Sequence, residues 1–216
     1  MALNENLILK LVKRKVVTDT FRRLAPDKKE RVYRTAIELF GHFGYDGLPV
    51  DRFCREAGIS KGSFFQYFPS KSHLLEFSLL VFDGYLEDWV AEVRKEESAV
   101  MARDRLMYLY HAIVLNTKLF ASERVFYLFA TNALSHAGVV VEGADPERHF
   151  REYIFDIVRR GVHTGEIRHD FEVALTEHLV TLVMSALIMR EYQPAKTTRH
   201  QLEEYLISFL FDGIKA

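Results

Sequence analysis

The stretch that decides the fold runs from Val50 to Leu75 and reads VDRFCREAGISKGSFFQYFPSKSHLL. It predicts a helix of about seven residues, a turn at Gly58 and a second helix of about eight residues, which together make a helix-turn-helix. Phe64 and Phe68 are four residues apart and therefore share a face of the second helix. The side chains expected to face the core are Phe53, Cys54 and Ala57 on the first helix, followed by Ile59, Phe64 and Phe68.

The remaining side chains of the second helix are expected to point away from the core, where a major groove would meet them. They are Lys61, Ser63, Phe65, Gln66 and Tyr67, and the predicted DNA-contacting set also includes Ser60, Gly62 and Lys71. A single lysine is usually only a solvated surface residue, but the charge distribution favours DNA contact. Residues 1–71 hold 14 Lys and Arg against 8 Asp and Glu, whereas residues 72–216 hold 15 against 22. A basic N-terminal region on an acidic remainder indicates that one end of the chain meets a polyanion.

Around this motif the hydrophobic periodicity predicts helices only. Asp27 is expected to cap a helix that Gly44 ends, and no stretch alternates apolar and polar residues for long enough to form a sheet. Further helices are predicted at 71–94, 100–118, 122–136, 146–163, 171–192 and 198–213. Residues 1–26 are interpreted as a basic arm because of their cationic side chains, which are Lys10, Lys13, Arg14, Lys15, Arg22 and Arg23.

The segment Arg31 to Leu75 resembles the DNA-binding domain of the TetR family of transcriptional regulators. The matching residues are Ala36-x-x-Leu39-Phe40, Phe43-Gly44-Tyr45, Val50-Asp51-x-Phe53, Glu56-Ala57-Gly58-Ile59-Ser60-Lys61-Gly62-Ser63, Phe65-x-Tyr67-Phe68 and Ser70-Lys71-x-x-Leu74-Leu75. Two positions depart from the family pattern: Leu48-Pro49 replace the usual Ser or Thr before Val50, and Phe65 replaces the usual Tyr.

The resemblance implies an all-α fold of about nine helices, with an N-terminal three-helix helix-turn-helix domain and a larger helical effector-binding and dimerisation domain. We therefore assign 1–26 to the arm, 27–73 to DNA binding, and 74–216 to effector binding and dimerisation. The implied function is a sequence-specific DNA-binding transcriptional regulator. It would be a ligand-responsive repressor that acts as a homodimer on a palindromic, double-stranded DNA operator in the cytoplasm.

The predicted helix 171–192 is apolar on two faces, so it is either buried or serves two interfaces. One stripe consists of Phe171, Ala174, Leu175, Leu179, Leu182, Ala186 and Met189, and the other of Val173, Val180, Met184 and Leu187. In the family, the last two helices pair with their symmetry mates. This implies a dimer interface made by the second stripe and the last helix, through Val180, Met184, Leu187, Leu206 and Phe209.

Aromatic residues are frequent between residues 105 and 155, and the run from Val125 to Val141 contains no charged residue. An apolar cavity with a few polar groups is what a small-molecule site requires, although aromatic stripes are also typical of an ordinary core. The candidate effector-binding residues are Tyr108, His111, Phe126, Phe129 and Asn132. The absence of Lys and Arg from this run favours a small apolar or aromatic effector over a strongly anionic one.

The sequence also argues against other classes of protein. There is no Gly-rich phosphate loop, no G-x-S-x-G and only one cysteine, Cys54, so neither an enzyme nor a cofactor is expected. Four H-x-x-E pairs indicate surface ion pairs more than a metal site. The longest charge-free run is shorter than the roughly 20 residues of a membrane span. Two alternatives stay open: a DNA-binding protein that recruits a protein partner without an effector, and a helical enzyme with an accidental motif.

Overall fold

The computed structural model describes residues 3–96, 101–115, 125–127, 129–130, 141–145, 147–191 and 212–214. These residues are mainly helical and contain no β-strand, which confirms the predicted all-α class. The helices are α1 (Glu5–Lys13), α2 (Asp19–Arg22), α3 (Pro26–Phe43), α4 (Val50–Ala57), α5 (Lys61–Tyr67), α6 (Lys71–Glu96), α7 (Ala102–Leu115), α8 (Arg148–Thr164), α9 (Val173–Glu191) and the short α10 (Asp212–Ile214).

The predicted helix starts agree with the structure to within about two residues: α7, α8 and α9 begin at Ala102, Arg148 and Val173, each two residues later than predicted. At the start of α3 the capping residue also differs. This helix begins at Pro26, with Ala25 as the N-cap and no side-chain cap, so Asp27 lies inside the first turn. Proline suits the first helical position because its missing N–H has no intrahelical partner there. The predicted helix 122–136 is described only at residues 125–127 and 129–130, and the predicted helix 198–213 lies outside the described residues except at its C-terminal end.

The chain divides into two compact units. The first consists of residues 1–86 and 119–146, and the second of residues 87–118 and 147–216. The first unit therefore continues beyond residue 73, at which we placed the end of the DNA-binding domain. That functional boundary stays a prediction.

An aromatic cluster forms the core of the first unit. The ring of Phe21 on α2 lies 5.2 Å from that of Phe68 and 5.0 Å from that of Phe77, and Phe68 and Phe77 are 5.4 Å apart. Tyr33 of α3 packs edge-on against Phe77 at 6.3 Å. All four side chains are buried, so α2, α3 and α6 share one core with the residue that ends α5.

The interpretation of residues 1–26 as an arm is wrong, because the segment is packed. Asn4 caps α1 and Thr18 caps α2, each by accepting a backbone N–H. Five apolar side chains of this segment are almost fully buried, and they are Ile8, Leu11, Val16, Val17 and Phe21. The basic side chains Lys10, Lys13 and Lys15 lie on the exposed side. The segment folds because the burial of these apolar groups outweighs the entropy lost on ordering the chain.

In the second unit, α8 packs against both α7 and α9. Trp89 at the C-terminal end of α6 contacts Phe150 of α8, with ring centroids 5.6 Å apart. A Cβ at Gly161 of α8 would lie 2.7 Å from Ile167 and 3.0 Å from Ala102, so this close approach requires glycine.

Candidate nucleic-acid interface

The turn between α4 and α5 holds the two helices of the predicted motif together. α4 ends at Gly58, which has the left-handed angles φ +66° and ψ 39°. The nearest atom to a Cβ at Gly58 would be Nη1 of Arg31 at 3.8 Å, so the backbone angle and not the space favours glycine. Ser60 then caps α5, because its Oγ accepts the backbone N–H of Ser63 at 3.0 Å.

Buried phenylalanines fix the inner face of this motif. The ring of Phe64 lies 5.8 Å from that of Phe53 on α4 and 5.7 Å from that of Phe68. Cys54 and Ala57 are also buried, as predicted. Burial raises the pKa of the Cys54 thiol, which keeps it protonated and unreactive at neutral pH.

The outer face of α5 is open to solvent. Ser60, Lys61, Gly62, Phe65 and Gln66 are exposed, whereas Ser63 is half-buried. Phe65 is 53% exposed, and its ring packs edge-on against that of Phe64 at 5.1 Å. The structure thus brings five of the predicted DNA-contacting residues onto one accessible surface, which we call the α5 face.

Tyr67 does not belong to the α5 face, and the prediction that it points away from the core is wrong. Its side chain is only 4% exposed. Its ring packs edge-on against Phe21 of α2 at 6.1 Å, and the ammonium of Lys28 lies 5.9 Å from the ring centroid. The packed N-terminal segment therefore turns this residue of α5 inward.

Lys61, the first residue of α5, is paired in the structure. Its Nζ lies 2.9 Å from Oδ1 of Asp51 on α4, and hydrogen bonding to this carboxylate raises the pKa of the ammonium. Both side chains are exposed, so the pair is worth little to stability. An ammonium has three donors, so Lys61 can keep Asp51 and still donate to a phosphate.

Lys71, the first residue of α6, is half-buried and already holds a neighbouring loop. Its Nζ donates to the carbonyl oxygen of Tyr45 at 2.8 Å and lies 4.3 Å from the centre of the Tyr45 ring. The preceding Ser70 accepts a hydrogen bond from the backbone N–H of His73 at 3.5 Å. Contact between Lys71 and a phosphate stays a prediction that requires one of its two other N–H donors.

The N-terminal segment contacts the C-terminal end of α5, which was not predicted from the sequence. The backbone N–H of Thr18 donates to the carbonyl of Tyr67 at 3.1 Å, and its hydroxyl donates to the carbonyl of Gln66 at 2.5 Å. The pattern that could have predicted this packing is the recurrence of apolar residues at Ile8, Leu11 and Phe21. The many cationic residues between them favoured the interpretation as a basic arm instead.

The candidate effector-binding residues fall in both units. Phe126 and Phe129 belong to the first unit, where Phe126 is fully buried against Phe82, with ring centroids 5.2 Å apart. Tyr108 and His111 belong to the second unit and are half-buried. Asn132 lies outside the described residues. These five assignments stay predictions.

The assignment of the inner and outer stripes of α9 is wrong. Val180 and Met184, which we placed in a dimer interface, are 0% exposed within one protomer. The other stripe is open instead: Leu175, Leu179 and Leu182 are 52%, 51% and 53% exposed. Of the remaining predicted interface residues, Leu206 and Phe209 lie outside the described residues, and Leu187 is described only in its helical backbone.

Among the described residues, no group of three or more His, Cys, Asp or Glu side chains could hold a metal ion. No helix in the same part of the chain is long and apolar enough to cross a membrane.

Comparison with known proteins places the similarity on the helix-turn-helix. Residues 32–76 match the family model described as bacterial regulatory proteins, tetR family. The uncharacterized HTH-type transcriptional regulator YuxN of Bacillus subtilis (strain 168) is 43% identical over 49 residues, which are 23% of this chain and 17% of that protein. The match therefore spans about a sixth of the length of that relative.

Solved structures are similar over most of the chain. A tetR-family transcriptional regulator from Chloroflexus aurantiacus J-10-fl superposes with a TM-score of 0.69 at 17% identity, covering 93% of this chain and 99% of that chain. The regulator FadR from Bacillus subtilis, in complex with stearoyl-CoA, gives a TM-score of 0.65 at 16% identity, covering 86% and 99%. At such identities, the similarity concerns the fold alone.

Proposed function

Because residues 32–76 form a helix-turn-helix domain of the tetR family of bacterial regulatory proteins, we propose that this chain is a sequence-specific DNA-binding repressor that acts as a cytoplasmic homodimer. The family consists of transcriptional regulators and not of enzymes. The observation that carries the proposal is the α5 face, on which Lys61, Phe65 and Gln66 are exposed above a rigid base of buried phenylalanines. A short helix held in this way can enter a major groove without rearranging.

Selection from a random duplex library tests this proposal. We expect the full chain to enrich an inverted repeat, because a two-fold dimer reads two half-sites related by the same symmetry. Repression is tested by placing the enriched operator across a promoter upstream of a reporter gene. A library that shows no enriched sequence would contradict sequence-specific binding.

Gln66 is the residue of the α5 face best suited to reading a base, since its amide can bond N6 and N7 of adenine together. We expect Gln66→Ala to weaken binding to the selected operator by about 1–3 kcal/mol and to relax the preference at one base pair per half-site. Titrations against cognate and scrambled duplexes measure this. The exposed amide Asn6 on α1 provides a control, Asn6→Ala, which should leave both affinities unchanged. Equal losses on both duplexes would exclude base reading by Gln66.

Lys71 is expected to contact the phosphate backbone, where the N-terminus of α6 also favours an anion. Lys71→Ala should weaken binding to all duplexes alike and make the slope of log K against log salt shallower by about one for each phosphate that Lys71 neutralises. Titrations at several salt concentrations measure the slope. Lys95→Ala, at the exposed C-terminal end of the same helix, is the matched control. An unchanged slope in Lys71→Ala would contradict this role.

We place the dimer interface on the exposed stripe of α9, which consists of Leu175, Leu179 and Leu182. Single exposed leucines are common, but these three recur at helical spacing and leave about half of each side chain in water. A second copy presenting the same stripe would cover them across a two-fold axis.

We further propose that a small apolar or aromatic effector releases the protein from DNA. The basis is the aromatic run that includes Phe126 and Phe129 and contains no charged residue. FadR, a neighbour in fold, was solved in complex with stearoyl-CoA, whose acyl chain is apolar although its CoA group is anionic. The alternative is a DNA-binding protein that recruits a protein partner and needs no effector. A screen for compounds that both raise the melting temperature and weaken operator binding separates the two, because an effector acts only through different affinities for the two states.

A further inference from the structure

Residues of the N-terminal segment donate hydrogen bonds to the C-terminal end of α5. This segment lies outside the family match at residues 32–76. The last carbonyls of any helix lack partners within that helix. In α5 the Phe68 N–H donates to the carbonyl of Phe64 at 2.8 Å. Because the helix ends at Tyr67, the carbonyls of Gln66 and Tyr67 have no N–H donor four residues further along the same helix. Thr18 serves both of them, with its hydroxyl at 2.5 Å from the Gln66 oxygen and its N–H at 3.1 Å from the Tyr67 oxygen.

Thr18 is itself held in place from two sides. Its Oγ1 accepts the backbone N–H of Phe21 at 3.3 Å, so the same hydroxyl caps α2 and donates to α5. Phe21 is fully buried and packs against Tyr67 and Phe68, which follow Gln66 in the chain. The N-terminal segment is thus packed against the C-terminal end of α5.

The segment is also tied to the rest of the first unit. Arg14 donates to Oε1 of Glu76 on α6 at 3.1 Å and to the carbonyl of Glu142 at 2.9 Å. Lys29 of α3, which is almost fully buried, pairs with Glu5 of α1 at 3.3 Å. The N-terminal segment therefore contacts α3 and α6 as well as the C-terminal end of α5.

We propose that Thr18 is a positioning residue for base recognition, which fixes the backbone of Gln66 and thereby aims its side chain. The inference rests on the proposed function, since it concerns how the α5 face reads DNA. Gln66 is the residue most directly affected, because its carbonyl accepts the hydrogen bond from the Thr18 hydroxyl while its side chain is exposed. A side chain that must place two hydrogen bonds on one base edge tolerates little rotation of its helix.

The test compares Thr18→Val, which keeps the shape and the backbone N–H but removes the hydroxyl, with Thr18→Ser, which restores a hydroxyl. Thr20→Val, at an exposed position on α2, is the matched control. Each full-length variant is titrated with the operator selected by the wild type and with a scrambled duplex. We expect Thr18→Val to lower the ratio of cognate to scrambled affinity about tenfold, the size of effect that one hydrogen bond can have. Thr18→Ser and Thr20→Val should keep the wild-type ratio.

A double-mutant cycle separates positioning from general destabilisation. If Thr18 acts through Gln66, then Thr18→Val should change the ratio little further in a Gln66→Ala background. An unchanged ratio in Thr18→Val, whether or not both affinities fall, would overturn the inference, and so would additive losses in the double variant. Failure of the proposed function is distinct from these results, because in that case the wild type itself would select no operator.

Discussion

Phe21→Ala is expected to lower the free energy of unfolding of the first unit by about 3–5 kcal/mol, the usual range for truncating a buried phenylalanine. Phe21 is fully buried, and its ring touches those of Tyr67, Phe68 and Phe77. The substitution therefore removes apolar burial and three aromatic contacts at once, and it leaves a cavity among rings that are themselves fixed. Through these contacts Phe21 joins α2 to both α5 and α6.

Urea unfolding, followed by circular dichroism and by hydrogen exchange of the α5 amides, measures this effect. Two transitions are possible because the chain has two compact units, so the amides of α5 report the relevant one. Leu9→Ala is the matched control: Leu9 lies on α1 but is 39% exposed, and its truncation should change stability only slightly. A wild-type midpoint and unchanged protection in Phe21→Ala would restore the view of residues 1–26 as an arm.

The helix-turn-helix was predictable from sequence because its determinants are local. Gly58 ends one helix by its positive φ, Ser60 begins the next by capping it, and Phe64 and Phe68 recur at helical spacing. Each signal acts within a few residues, so neighbouring sequence is sufficient to read it. The exposure of Lys61 and Gln66 follows from the same periodicity.

Tyr67 could not be placed in this way, because its burial depends on a distant residue. The sequence of α5 alone does not require the Tyr67 ring to be buried. The ring is covered by Phe21 of α2, which is distant in sequence. The same dependence explains the error over residues 1–26. Exposed Lys10 and Lys13 lie on the outer side of α1 and suggest an unpacked basic segment, while Leu11 between them is buried.

The two stripes of α9 illustrate a different limit. Periodicity shows that a helix is apolar on two faces but carries no information on which face packs within the protomer. In the structure α9 packs against α8 and α7, and the almost fully buried Glu177, which lies between the stripes, pairs with Arg159 of α8. Glu177, Val180 and Met184 are therefore on the packed side of α9, and the leucine stripe is in solvent.

Leu179→Glu should therefore convert the proposed homodimer into a folded monomer. Leu179 lies at the centre of the exposed stripe, between Leu175 and Leu182. In a two-fold interface the same patch serves both subunits, so two carboxylates would be buried near each other without partners. Burying an unpaired charge costs several kcal/mol, so we expect the dimer dissociation constant to rise by at least about a hundredfold.

Sedimentation velocity and operator titration measure the two consequences, loss of the dimer and loss of tight binding to an inverted repeat. Ala91→Glu, which adds the same charge at an exposed position of α6, should leave the dimer intact. Val180→Glu provides the decisive contrast, because Val180 is fully buried within the protomer and its replacement should unfold the chain instead of dissociating it. An intact dimer in Leu179→Glu, or a folded monomer in Val180→Glu, would move the interface away from the leucine stripe. Dissociation without unfolding at Leu179, together with unfolding at Val180, is the pattern that only an outward-facing leucine stripe explains.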